Sequence, residues 1–293
     1  MRVAESGRWV VPGTLYVVAT PLGNLSDLSD RARAVLAEVD LIACEDTRHS
    51  GRLLDHFGIG TRKLSLHEHN ESERSRRLVE ALEAGQSVAL ISDAGTPLIS
   101  DPGFVLVRAV RSAGHPVCPV PGPSALIAAL SAAGLPSDRF AFEGFLPARK
   151  AARRQRIEVM ADYSGTLIYY ESPHRLTESV KDLTSGLGEN RPAVLAAELT
   201  KRYERFFDGS LADLSAALTN GTIERRGEWV IMVAGAEDAS SAIEEAAVAP
   251  DALIAALLAE GVSPRSIVAT LVTATGQPRN AVYRRVMALR DKS

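Results

Sequence analysis

One rhythm constrains this chain more than any other feature. Short apolar runs rich in branched residues, at 15–20, 41–44, 63–66, 87–91 and 117–120, alternate with stretches of helical periodicity at 27–39, 47–57, 72–84, 104–112 and 124–133. In the first stretch Leu28, Ala32, Val35 and Leu36 share one face, and Gly58, Gly85, Gly114 and Gly134 stand where the next four stop. Such alternation predicts a mostly parallel sheet with helices on both faces. A second α/β unit begins near Phe140, with strands expected at 166–170, 193–199, 204–207 and 229–234 and helices at 149–161, 174–187 and 211–218. The strand over 203–209 lies close in sequence to its neighbours, so this second sheet is expected to be mixed.

The expected division is one α/β domain over 1–138, a second over 139–236 and an extension over 237–293. Residues 237–251 carry five acids and no Lys or Arg, which reads as a solvated linker or a loosely held helix. From 252 to 289 the text is helical, with Ser263-Pro264 and Gln277-Pro278 as helix starts. Three short helices of this kind suit either a helix-turn-helix module or a small packing bundle.

Composition removes several classes of function. With 293 residues and 46% hydrophobic content, the chain is long enough for two cored domains and too apolar for disorder. A net charge of −3 provides no global basic field, so a nucleic-acid partner must be read from local patches. Cys44 and Cys118 are too few for a zinc site and sit in apolar runs, so both are expected as buried thiols. Arg2, Glu5 and Arg8 interrupt the start, where no signal peptide is read, and no apolar run is long enough for a bilayer; a cytoplasmic protein without a membrane partner is expected. No G-x-G-x-x-G follows a strand, and P-loop, H-E-x-x-H and G-x-S-x-G patterns are absent. No metal is expected.

Ligands of open α/β sheets bind beyond the carboxyl ends of the strands. Four such ends carry unusual text: Thr20-Pro21-Leu22-Gly23-Asn24, Cys44-Glu45-Asp46-Thr47-Arg48, residues 92–103 (SDAGTPLISDPG) and Pro119-Val120-Pro121-Gly122-Pro123-Ser124. Their glycines and prolines set backbone direction and permit close approach to a ligand. All four fall on one edge of the predicted sheet, which argues for a site rather than four unrelated turns.

These blocks, together with residues 142–147 (FEGFLP) and 170–175 (YESPHR), resemble the tetrapyrrole-methylase-like superfamily across residues 13–236. Within it, they look like the branch that methylates a cytidine ribose 2′-hydroxyl in small-subunit (16S) ribosomal RNA. The tail resembles, more weakly, a small helical extension carried by many members. The resemblance implies two α/β domains of the tetrapyrrole methylase type with that extension, S-adenosylmethionine (S-adenosyl-L-methionine) in the cleft between the domains, and a homodimer. The tetrapyrrole enzymes carry Gly-Asp-Pro where this chain has Gly95-Thr96-Pro97, a departure that points towards RNA.

The cofactor contacts so implied are Pro21, Leu22, Gly95, Thr96, Pro97, Ile99, Ser100, Asp101, Ser124, Ala125 and Leu126, with Gly227 and Val230 closing from the second domain. Attack by a ribose hydroxyl needs a proton acceptor or strong orientation. Glu45, Asp46, Glu171 and Lys201 are the candidates, Asp46 doubling as a possible helix cap; Asp93 and Asp101 are ranked lower because carboxylates in tight turns often cap amides. Arg149, Lys150, Arg153, Arg154 and Arg156 put five cations in eight residues, a density suited to an RNA backbone or to a solvated helix face. Arg48 and Arg175 either hold phosphate or pair with neighbouring acids. The expected partner is small-subunit ribosomal RNA or the 30S subunit. The competing readings are a small-molecule methylase, with no basic rim, and a non-catalytic ribosome-binding protein.

Overall fold

The computed structural model describes residues 9–67, 70–236 and 250–290. The chain forms two compact units, Met1–Ala236 and Glu237–Ser293. The larger holds two five-stranded sheets. In the first, β1 (Leu15–Val18), β2 (Leu41–Cys44), β3 (Lys63–Ser65), β4 (Val88–Ile91) and β5 (Val117–Val120) lie in the order β3-β2-β4-β1-β5, all parallel. The connecting helices are α1 (Asp30–Glu38), α2 (Thr47–His56), α3 (Glu71–Glu83) and α4 (Phe104–Ser112).

Both faces of this sheet are covered, so its central strands are apolar throughout rather than alternating. Tyr16, Val18, Ile42 and Ile91 pack against Ala32, Val35 and Leu36 of α1 and Leu54 of α2. On the other face Leu15, Val88 and Leu90 meet Leu78 and Leu82 of α3 and Leu106 and Val110 of α4. The helix expected from residue 27 starts later. Leu25–Asp27 is a 3-10 turn, and Ser29 caps α1 by accepting from the Ala32 amide. Cys44 is buried as expected, but Cys118 is only half-buried; the two form no disulfide.

The second sheet orders β6 (Phe140–Phe145), β7 (Thr166–Glu171), β8 (Pro192–Ala197), β9 (Arg205–Ser210) and β10 (Trp229–Val233) as β6-β7-β10-β8-β9. Only β6 and β7 pair in parallel; β10 runs antiparallel to both its neighbours. One face is covered by α6 (Lys150–Val159), α7 (Leu176–Leu187) and α8 (Leu211–Thr219). The other is covered by α5 (Ala125–Ala132), whose Leu126, Ala129 and Leu130 pack on Ile168, Val194, Ala196 and Val230. The last helix of the first half thus roofs the second sheet and ties the halves together.

The smaller unit packs α9 (Pro250–Ala259), α10 (Pro264–Thr275) and α11 (Arg279–Arg290) around Ile254, Ile267, Val268, Val282 and Val286. Ser263 caps α10 with proline in its first turn, and Arg285 meets Asp251 at 2.6 Å. Residues 237–249, most of the expected acidic linker, lie outside the described residues. Among the described residues no helix is long and apolar enough to cross a membrane.

Candidate active site

The carboxyl ends of β1, β4 and β5 face those of β6, β7 and β8 across a cavity of about 340 Å³. Because β10 is antiparallel, its amino end lies beside those carboxyl ends, with Trp229 opposite Glu171 and Ala197. One wall is Leu22, Ala94, Gly95, Thr96, Ile99, Ser100, Asp101, Ser124 and Ala125; the other is Phe145, Tyr170, Glu171, Ser172, Pro173, Leu199, Glu228, Trp229 and Val230.

The loop over 92–103 is held by its neighbours on three sides. Thr20 and Gly95 exchange backbone hydrogen bonds of 2.8 and 3.0 Å, and the Thr20 hydroxyl donates to the Ser92 carbonyl at 3.1 Å. The Thr96 hydroxyl donates to the Pro123 carbonyl at 2.9 Å, joining this loop to the one before α5. Gly103 provides a φ of +130° ahead of α4, and the buried Glu71 carboxylate accepts from the amides of Gly103 and Val105 at 2.9 Å each and of Leu106 at 3.4 Å. Leu98 (φ 74°) and Ser100 (φ 66°) are left-handed without being glycine, each costing about 1–2 kcal/mol. Surrounding contacts enforce that strain where the loop lines the cavity.

Asp101 is the titratable wall residue with the most telling environment. Burial, helped by the charges of Glu45 and Asp93 and opposed by a hydrogen bond from Ser92, pushes its pKa up to about 6. Beside it, burial pushes the Tyr170 phenol up to about 12. The phenol oxygen accepts from the Leu126 amide at 3.0 Å, pinning the first turn of α5, and its ring packs edgewise on Phe142 and Phe145.

Of the four expected catalytic residues, only Glu171 lines the cavity. Its carboxylate is buried and occupied by the Ser179 hydroxyl at 2.5 Å, the Ser172 amide at 2.8 Å and Arg175 at 3.3 Å. Asp46 is the cap of α2; its carboxylate accepts from the Arg48 and His49 amides, which hold it below the usual range and make it a poor base. Lys201 also fails as a base. Burial pulls its pKa down, but hydrogen bonds to Glu198 and Glu228, each 3.0 Å, outweigh that and keep the ammonium charged. Glu45 follows β2, half-buried and within electrostatic reach of Asp101.

Among the expected cofactor contacts, Pro21, Pro97, Leu126 and Gly227 stand outside the lining. Gly227 instead makes room for Glu198, whose carboxylate occupies the space a Cβ would fill. Of the expected RNA contacts, Arg153 is 1% exposed and Arg175 turns inward onto Glu171 and the Leu146 carbonyl, because each guanidinium has a buried carboxylate to satisfy. Arg48, Arg149 and Lys150 are exposed, and Arg154 is paired with Asp182 but 55% exposed. Sequence reasoning did not single out Ala94, Phe145, Tyr170, Ser172, Pro173 or Leu199. All but Leu199 lie inside blocks already quoted, and Glu228 and Trp229 lie between Gly227 and Val230, the strand entry already expected to close from the second domain. Among the described residues no cluster of three or more His, Cys, Asp or Glu is arranged to hold a metal ion.

The family model of the Tetrapyrrole (Corrin/Porphyrin) Methylases matches residues 14–215, and that of the RsmI C-terminal HTH domain matches residues 244–290. A Xylella fastidiosa protein named Ribosomal RNA small subunit methyltransferase I is 56% identical over 231 residues, covering 79% of this chain and 85% of that one. A Pseudomonas aeruginosa protein of the same name is 57% identical over 223 residues, 76% of this chain and 79% of its own. In fold, the chain is similar to uroporphyrin-III-C-methyltransferase from Thermus thermophilus (TM-score 0.55, 21% identity, 76% of this chain and 94% of that one). It is likewise similar to diphthine synthase (TM-score 0.56, 16% identity, 76% and 89%). With a family model running through both α/β halves and relatives of this similarity matched over most of their length, the chain belongs to the tetrapyrrole methylase family.

Proposed function

We propose that this protein transfers the methyl group of S-adenosylmethionine to a cytidine ribose 2′-hydroxyl in small-subunit ribosomal RNA. The observation that carries the proposal is 49–57% identity, over 76–80% of the chain, to proteins named Ribosomal RNA small subunit methyltransferase I. The cavity fits the cofactor in size and chemistry. Its aliphatic wall of Leu22, Ile99, Ala125, Leu199 and Val230 suits an adenosyl group. Asp101, one of the acidic residues of the lining, suits the ammonium of the amino-acid end. When bound, S-adenosylmethionine supplies a methyl group on an already activated leaving group.

This chain's residues have three tasks. The constrained backbone at 95–101 and 124–125 orients what lies between the walls, and Tyr170 fixes one side of that frame through Leu126. The aromatic edge of Phe145 and Tyr170 keeps water from the reacting atoms. The Glu45 carboxylate, half-buried after β2 and within electrostatic reach of the cavity residue Asp101, takes the ribose O2′ proton. The partner is the 30S subunit or its RNA, which places the protein in the cytoplasm. Exposed Phe104 and Ile127 offer apolar surface to a second copy in a homodimer.

The test is transfer of label from S-adenosylmethionine to unmodified small ribosomal subunits. Label in protein-free RNA, resistant to alkali at its position, is expected, with Glu45→Gln lowering kcat about a hundredfold. Label that goes only to small molecules, or no transfer by a protein that binds cofactor, overturns the reading.

A further inference from the structure

Sequence density alone put five cations on and before α6; their structural roles divide them. Arg153 is buried beneath the others, its guanidinium held by Asp182 at 2.8 Å, Glu178 at 3.4 Å and the Ala148 carbonyl at 3.3 Å. Asp182 is spent twice, because Arg154 also donates to it through Nε at 2.8 Å. Burial tends to raise the Asp182 pKa, and the two arginines outweigh it, so the carboxylate stays ionised and neutralised from both sides. Over this floor lies a cleft of about 470 Å³ between α6, α7 and α8. Its exposed cations are Lys150, Arg154 and Lys181, the last from α7 and invisible to any reading of the α6 cluster. Ser215 adds a hydroxyl from α8, while the Ser185 hydroxyl donates back to the Lys181 carbonyl at 3.0 Å.

The cleft is elongated. Its lining runs along α7 from Glu178 to Ser185, about 10 Å of helix. It is also anchored to the cavity. Lys150 follows Phe145 by five residues, within about 18 Å of chain, and α7 begins three residues after Pro173. A row of cations with a neutralised floor, starting near the cavity and running away from it, suits a polyanion whose repeating phosphates are held by charge.

We infer that the α6–α7 cleft is a track for the phosphate backbone of the RNA substrate, with Lys150, Arg154 and Lys181 as its contacts and Arg153 as its buried support. The inference rests on the reading that RNA is the methyl acceptor. The full-length protein carrying Lys150→Ala and Lys181→Ala tests it, against unmodified small ribosomal subunits across a salt series. The expected result is a KM for the subunits raised about tenfold or more, with a smaller salt dependence (a slope lowered by about 1.4 for two lost contacts), while kcat and the affinity for S-adenosylhomocysteine stay unchanged. Lys150→Arg with Lys181→Arg retains the charge and should retain the original KM. Unchanged KM and salt slope in the alanine variant, with methyl transfer intact, overturn the track. Absence of transfer by the unaltered protein would instead strike at the RNA reading itself.

Discussion

Asp101 faces opposite demands from the fold and from a cationic ligand. Its pKa of about 6, against an ordinary 3.8, means that burial in the folded protein disfavours the ionised form. The folded chain therefore holds the proton more tightly than the unfolded chain. The resulting destabilisation is present in full above about pH 6 and disappears below about pH 4. Asp101→Asn should accordingly raise the melting temperature of the ligand-free protein at pH 8, with the gain vanishing near pH 4. A ligand ammonium group placed against it selects the ionised form, so affinity for S-adenosylhomocysteine, which carries such a group, should fall as pH drops through about 6 in the original protein. In the variant, affinity should be weaker and flat across that range. Calorimetric titrations at several pH values check both, and an unaltered pH profile in the variant would remove Asp101 from the ligand's contacts. Sequence reasoning placed Asp101 on the cavity wall, because its block is long and local. It left Asp46 open between base and helix cap and Arg175 between phosphate and neighbouring acid, and took Lys201 as a base and Arg153 as an RNA contact; the amides and counter-ions that occupy all four are revealed only by folding.

Elements show the same division between local and distant causes. The order of strands and helices in the first half was legible, since apolar periodicity and terminating glycines are local properties. The insertion of β10 between β7 and β8 was not, nor was the docking of α5 on the second sheet, because both follow from packing partners 30 or more residues away. The start of α4 is the sharpest case. Its cap position is Gly103, which has no side chain, and Glu71 of α3, 32 residues earlier, supplies the acceptor for three amides. A carboxylate there satisfies orphan donors and meets the positive end of the helix. Glu71→Ala would leave the buried Gly103 and Leu106 amides unpaired and should cost about 2–3 kcal/mol, a fall of roughly 4–12 °C in melting temperature. Glu71→Gln keeps one acceptor oxygen and should lose less. Because α4 follows directly on the loop over 92–103, the alanine variant should also bind S-adenosylhomocysteine more weakly; full affinity with lowered stability would show that the loop is held without this cap.

For the whole molecule, what matters is how far the cavity depends on the entire chain. Every residue of its lining falls between Leu22 and Val230, inside the compact unit Met1–Ala236. The three-helix unit has its own apolar core of Ile254, Ile267, Val268, Val282 and Val286, and its described residues add no strand to either sheet. The two family models divide the sequence in the same way, one matching residues 14–215 and the other 244–290. Cofactor binding and the helical tail are thus separable in principle, since each unit buries its own hydrophobic surface. A chain ended after Ala236 should unfold in a single cooperative transition and bind S-adenosylhomocysteine within about threefold of the full protein, a difference of less than 1 kcal/mol. Its methyl transfer to small subunits should suffer instead through KM, because Arg279, Arg284 and Arg290 leave with the tail. Affinity for cofactor lost along with the tail would mean that the cavity needs the helical unit to form, and an unchanged KM would assign the tail to packing rather than to RNA.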